Sequence, residues 1–205
     1  MRNGIGTAFI SLVENIADVI DVYITVDEAN LLDATRVALI ESLLPRVHIL
    51  PRCGTMLTTL EEDWCIQKWN KDNKFWNNNF KKIIMLSYKR EFYRLFGNSH
   101  FKAVVNYEGY NAVYTSIFAA SEDHTDQKVI YLHNNMAAEY SEKHKYLGKL
   151  FGLYDFYDRI VSVSKATNEI NRDSLAIIWN IEAKKFSYVD NLLNIQRVFS
   201  RANQE

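Results

Sequence analysis

Lys128-Val129-Ile130-Tyr131-Leu132 runs directly into His133-Asn134-Asn135-Met136, an apolar stretch of strand length followed by an imidazole and two carboxamides. Val129 to Leu132 are apolar at consecutive positions, without the alternation of a half-exposed strand, so the run suits a strand covered by helices on both faces. Similar runs recur on either side: Asp21 to Val26 (DVYITV), Arg46 to Leu50 (RVHIL), Lys102 to Asn106 (KAVVN), Arg159 to Val163 (RIVSV) and Lys185 to Val189 (KFSYV). Helical periodicity fits the intervals Ile5 to Val19, Ala29 to Leu44, Tyr110 to Ala120, Ala137 to Tyr157 and Lys165 to Trp179. This is the rhythm of βα units, and it predicts an α/β fold: a Rossmann-like, doubly wound, mostly parallel sheet with flanking helices.

Both prolines, Pro45 and Pro51, bracket the second run, where a helix must end and a loop begin. No internal linker is visible. Thr55 to Phe96 holds no convincing strand and reads as helices joined by the polar Asn70 to Asn79 stretch, an insertion or lid of about residues 55–97 within a single domain over 1–190.

With 205 residues, 48% hydrophobic, 13% aromatic and 24% charged, the chain is a globular one, and disordered or low-complexity classes are excluded. The formal charge of −1 is far from the basic balance of a protein that coats nucleic acid, so no nucleic-acid partner is expected. Cys53 and Cys65 stand without a CxxC or a His-rich neighbourhood, which points to neither a disulfide framework nor a zinc site and suits a reducing cytoplasm. No metal or cofactor is expected; His48, His100, His124 and His144 lack ligand spacing and read as structural or solvated. No apolar run reaches membrane-spanning length, and no signal-peptide pattern opens the chain.

Four motifs carry chemistry. Asn3-Gly4-Ile5-Gly6-Thr7 stands before the first helix, where helix-start N–H groups can meet an anion; a plain helix cap is the competing reading. Such a turn normally follows a first strand, so the chain reads as a fragment lacking that strand, or else as a protein that opens on a helix. His133 and Asn134, at a strand's C-terminal end where open α/β sheets bind ligands, can hydrogen-bond a sugar hydroxyl or a phosphate, with Glu139 near enough in sequence to share the crevice; the alternative is a loop histidine serving local backbone. Ser164 and Lys165 follow the next strand in the same way, although capping alone explains Ser164. Between Trp64 and Arg94, eight basic residues stand against two acidic ones, interleaved with aromatics. Lys81, Lys82, Lys89, Arg90 and Arg94 there suit an anionic membrane surface or a polyphosphate, or form the solvated face of an ordinary helix hairpin. No nucleophile elbow, HExxH or Walker A motif is present.

In order along the chain, Asn3 to Thr7, Tyr88 to Gly97 (YKREFYRLFG), Phe101 to Tyr110 (FKAVVNYEGY), Leu132 to Glu139 (LHNNMAAE), Tyr157 to Ser164 (YDRIVSVS) with Asn171 following, and Phe186 to Asn194 (FSYVDNLLN) resemble the N-terminal, acceptor-side domain of bacterial GT-B glycosyltransferases of the family 4 type, those of teichoic acid and capsular polysaccharide assembly in particular. The resemblance implies one half of a GT-B fold, with residues 191–205 starting an interdomain linker and the donor-binding C-terminal domain absent. It implies a retaining, metal-independent hexosyltransferase-like enzyme whose partners are a nucleotide-sugar donor and a glycopolymer or lipid-linked acceptor, working in the cytoplasm at the inner face of the cell membrane. Carried over by position, Gly4, Gly6 and Thr7 lie against the donor diphosphate, and His133 reaches the transferred sugar or its leaving phosphate as the catalytic-site residue. Glu108, Gly109, Tyr110, Asn134, Asn135 and Glu139 line the acceptor side, and Ser164 and Lys165 complete the cleft. Asn135 stands where many relatives carry aspartate. Lacking its donor domain, the fragment is expected to be inactive alone. The rival expectation is a non-catalytic α/β module that binds anionic glycopolymer or membrane lipid.

Overall fold

Each of the six strand runs forms a strand within two residues of its expected position: β1 Tyr23–Asp27, β2 His48–Arg52, β3 Val104–Asn106, β4 Lys128–Leu132, β5 Arg159–Ser162 and β6 Phe186–Tyr188. The computed structural model describes residues 4–43, 46–72 and 76–192, and all pairing among its strands is parallel. The strands do not join in the single sheet expected. β1 pairs with β2 in a two-stranded sheet, and β3, β4, β5 and β6 lie in chain order in a four-stranded one. Neither sheet contains the reversal of strand order that marks a doubly wound topology.

The chain divides into two compact units, one built on the residues through Thr55 and one on Met56–Asp190. The first holds α1 (Gly4–Ile16), β1, a 3-10 turn Glu28–Leu32, α2 (Ala34–Glu41) and β2. Its buried cluster is Ile10, Val13, Ile24, Leu43 and Val47. Arg46 ties the segment before β2 to α1 through Asp18 and the Glu14 carbonyl. The expected linker lies almost wholly outside the described residues, as do Asn3, Pro45, Lys74 and Phe75.

The second unit holds α3 (Leu60–Lys71), α4 (Asn78–Phe96), β3, α5 (Ala112–Ala119), β4, α6 (Met136–Glu142), α7 (Leu147–Phe151), β5, α8 (Lys165–Trp179) and β6. Every crossover between neighbouring strands thus carries helix, as parallel pairing requires. α3 and α4 are not a lid. They bury Cys65, Ile66, Trp69, Ile84, Tyr88 and Phe92 in the same core as Ile130, Leu132, Ile160 and Leu175. Thr59 and Glu62 form a reciprocal capping box at α3, and Asn77 caps α4.

One expected helix is broken. Ala137 to Tyr157 forms α6, α7 and a 3-10 turn, Tyr154–Phe156, instead of a continuous rod. The Glu139 carbonyl accepts from both Lys143 N (3.0 Å) and His144 N (2.8 Å), which closes α6, and Lys143 turns out of helical geometry at φ −125°. The chain then turns inward to bury Leu147, Leu150, Phe151, Leu153, Tyr154 and Tyr157.

Candidate functional site

Because β3, β4 and β5 are parallel neighbours, the loops that follow them leave from one edge of the sheet. Those loops carry Tyr107 to Asn111, His133 to Asn135, and Val163 to Ser164. Buried side chains fix the first two. Asn106, 3% exposed at the end of β3, accepts from Gly109 N through Oδ1 (3.1 Å) and donates through Nδ2 to Thr115 Oγ1 (2.8 Å), folding the loop back on α5. Gly109 sits at φ +72°, and a Cβ there would lie 2.5 Å from the Tyr131 carbonyl oxygen. The close passage of this loop over β4 therefore needs glycine at that position.

Asn171, fully buried on α8, holds the second loop. Its Oδ1 accepts from Met136 N (2.9 Å), while its Nδ2 donates to the Asn134 carbonyl (3.0 Å) and to Ser162 Oγ (3.3 Å). One carboxamide thus joins the His133 loop, the end of β5 and α8, with both ends of the amide satisfied. A saturated buried network of this kind rigidifies what it holds.

His133 is oriented by backbone. Its Nε2 lies 2.6 Å from the Tyr107 carbonyl oxygen, an acceptor, so Nε2 carries the proton and donates it there. Tyr107 and Tyr131 flank the ring, with centroids at 4.9 and 6.4 Å. Burial pushes the His133 pKa below its ordinary value, against the Tyr107 carbonyl, which raises it. The imidazole is therefore neutral near pH 7, and Nδ1, an acceptor, has no partner among the described residues. Burial also pushes the Tyr107 hydroxyl up to about 12.

Beside it lies a second group. Asn134 Nδ2 donates to the Tyr110 hydroxyl (2.9 Å). Glu139, on α6, approaches Lys143 Nζ (3.4 Å) and His144 Nε2 (3.7 Å). The His144 ring stands edge-on to Tyr110 at 6.1 Å and close to Tyr146 at 5.6 Å. The Tyr110 and Tyr146 hydroxyls are raised chiefly by burial, and the charges of Glu108 and Glu139 add to this at both. Those two carboxylates consequently lie within electrostatic reach of both rings.

The structure places His133, Asn134, Glu108, Gly109, Tyr110 and Glu139 on or beside the loops at this one sheet edge. Asn135 is spent differently: its Oδ1 caps α6 at Ala138 N (3.0 Å). Ser164 Oγ likewise caps α8 at Thr167 N (3.1 Å), and Lys165 is exposed in that helix's first turn. Gly4, Gly6 and Thr7 belong to the other unit. They form the first turn of α1 itself instead of a loop before it, with Gly6 buried and Gly4 and Thr7 exposed.

Three of the five cations expected to meet a membrane or polyanion hold carboxylates of this chain. Lys89 pairs with Asp123, Arg90 with Glu62 (2.5 and 2.7 Å) and Arg94 with the buried Glu91 (2.7 and 2.8 Å). Lys81 lies over the Trp76 and Phe156 rings, at 5.8 and 4.5 Å from their centroids, and Lys82 is exposed. Among the described residues, no group of three His, Cys, Asp or Glu side chains is arranged to hold a metal ion, and no helix is long and apolar enough to cross a membrane.

Sequence reasoning gave no site role to Tyr107, Tyr131, Asn106, Asn171, His144 or Tyr146. Only Asn171 was singled out, as the residue following the Tyr157 to Ser164 stretch of the resemblance, with no local pattern to give it a role. Comparison with family models and with curated proteins returns no match to this chain, so fold and site geometry carry the functional reading.

Proposed function

We propose that the chain is the acceptor-side part of a retaining glycosyltransferase, which moves a sugar from a nucleotide-sugar donor to a cell-envelope glycopolymer or lipid-linked acceptor at the cytoplasmic face of the membrane. The observation that carries this reading is the convergence, at one edge of a parallel sheet, of a neutral histidine, a carboxamide, tyrosines and Glu139 on loops locked by Asn106 and Asn171. Such a surface orients hydroxyl-bearing ligands. It offers acceptors at His133 Nδ1 and Glu139 and amphipathic rings at Tyr110 and Tyr146.

The tautomer sharpens the role of His133. A neutral imidazole that already donates its only N–H has no charge and no proton for a phosphate. Its free nitrogen can accept from a sugar hydroxyl, so of the two ligands expected for it the sugar is favoured over the leaving phosphate. In this reading the residue orients the sugar ring while the acceptor hydroxyl replaces the nucleoside diphosphate at the anomeric carbon.

The test is sugar transfer by the full enzyme containing this chain, assayed with a labelled nucleotide sugar. His133→Ala is expected to lower kcat/KM at least about 100-fold, a loss on the order of that for removing a positioning contact at a reacting group. His133→Gln, whose amide can replace both the donor and the acceptor of the ring, is expected to recover part of it. Parental turnover in His133→Ala would contradict the assignment.

A further inference from the structure

A second concavity lies away from the strand-end loops. It encloses about 310 Å³ and is lined by Trp69, Trp76, Trp179, Lys81, Lys149 and Asn180, among others. Helices between parallel strands run back toward the strands' N-terminal edge. Trp179 and Asn180 close α8 there, and Asp155, also in the lining, precedes β5 by a few residues. The cavity therefore opens near the edge opposite His133.

Its chemistry is that of a ligand site. The volume sits at the small end of the roughly 300–1,000 Å³ range of such sites, about what one sugar ring and its substituent fill, and an aromatic wall with a few polar groups is their usual lining. Trp69, almost wholly buried, is the packed base of that wall. Gly152 lets Trp76 approach closely, since a Cβ there would meet the indole at 3.2 Å.

The charge balance is positive. Asp155 is neutralised by Lys185, whose Nζ donates to its Oδ1 (3.0 Å) and its carbonyl (2.5 Å). Lys149 donates to the Asn70 carbonyl, and its pKa is lowered by burial. Lys81 sits over aromatic rings, and neither lysine has a carboxylate partner among the described residues. A flat base finds little room: Trp76 already stacks on Trp69, at 4.8 Å between centroids and 27° between planes, and carries the Lys81 ammonium over its ring. A puckered ring needs only one apolar patch, with Asn180 and the lysines to meet its polar groups.

We propose that this cavity is a binding site for an acidic sugar, whose ring rests on the tryptophans and whose phosphate or carboxylate is taken by the Lys81 and Lys149 ammoniums. The site stands independently of the reading of His133, and either can fail without the other.

Tryptophan fluorescence reads it directly, since three of the four tryptophans line the cavity. Glucose 6-phosphate and glucuronic acid, titrated separately into the full chain, tell a phosphate ester from a carboxylate source. At least one is expected to give a saturable change, with methyl glucoside binding at least about five-fold more weakly for want of the charge. Lys149→Gln should weaken the acidic sugar about five- to ten-fold. Asn180→Asp, at an exposed left-handed position (φ 53°) that aspartate tolerates, brings a repelling charge without disturbing the core and should do the same if Lys149→Gln fails to fold. Equal binding of methyl glucoside, equal binding of inorganic phosphate, tighter binding of uridine monophosphate, no saturable change, or an unaltered response in Asn180→Asp would each overturn the proposal.

Discussion

At the scale of single residues, the candidate site rests on the groups that shape its loops. Gly109→Ala would place a methyl group 2.5 Å from the Tyr131 carbonyl, in a backbone conformation unfavourable to alanine, and is expected to cost at least about 2 kcal/mol, measured by urea unfolding. Asn171→Leu keeps the volume but strands the Met136 N–H and the Asn134 carbonyl; a loss of about 2–3 kcal/mol is expected, together with displaced amide resonances at residues 133–136. Wild-type unfolding energy in that variant would show that the loop is held by other means. His133 has a pH signature. Its pKa is lower folded than unfolded, so below about pH 6.5 the unfolded chain binds the extra proton first and stability falls on acidification, whereas above that value no penalty remains. His133→Gln should flatten that part of the stability profile. The imidazole and carboxamides themselves were legible from their place after a strand. The locks were not, because a buried asparagine bonding across 35 residues leaves no local pattern for periodicity to detect.

Among elements, α3 and α4 illustrate how charge counts mislead. The excess of lysine and arginine suggested a free cationic face, yet Lys89, Arg90 and Arg94 find carboxylates on other turns or elements. Glu62 accepts from Arg90 and from Thr59 N, and the Arg90 guanidinium chiefly holds its pKa down to about 2 against the effect of burial. The stabilisation is full above about pH 4.5 and disappears as pH falls toward 2. Arg90→Met should cost about 1–2 kcal/mol at pH 7 and move the onset of acid unfolding upward; an unchanged acid transition would mean that the pair is inert. Exposed on and before α3 are the large apolar Leu57, Leu60 and Trp64, among the charges of Glu61, Asp63 and Lys71, which nearly cancel, with Lys82 exposed on α4. The proposed peripheral membrane contact should therefore depend weakly on lipid charge and strongly on Trp64 and Leu60. Sedimentation with vesicles, neutral and anionic, checks this, and recovery unaffected by Leu60→Ser with Trp64→Ser would remove the contact. The central strands β4 and β5 were legible because buried parallel strands are written as consecutive apolar runs. The break between α6 and α7 was not, since Glu139 and Lys143 fit a continuing helix as well as they fit its end.

For the molecule as a whole, the sequence pattern is correct in class and silent on how the strands are shared between sheets, because parallel pairing is decided by long-range contacts that no local run encodes. The unit through Thr55 buries few large side chains, and small cores are marginal. Limited proteolysis is expected to cut there first and leave a product spanning about Met56–Asp190, whereas early cuts within α4 or α8 would contradict that order. The central claim is that the strand-end loops of the second unit hold a sugar. Nuclear magnetic resonance of the isotope-labelled chain, titrated with a nucleotide sugar and with a neutral glycoside, tests it most directly, because weak binding suffices. The account predicts saturable shifts at residues 107–110 and 133–134 and at His133 Nδ1, with Nε2 remaining protonated; shifts that avoid these residues, or a His133 protonated on both nitrogens at neutral pH, would contradict it.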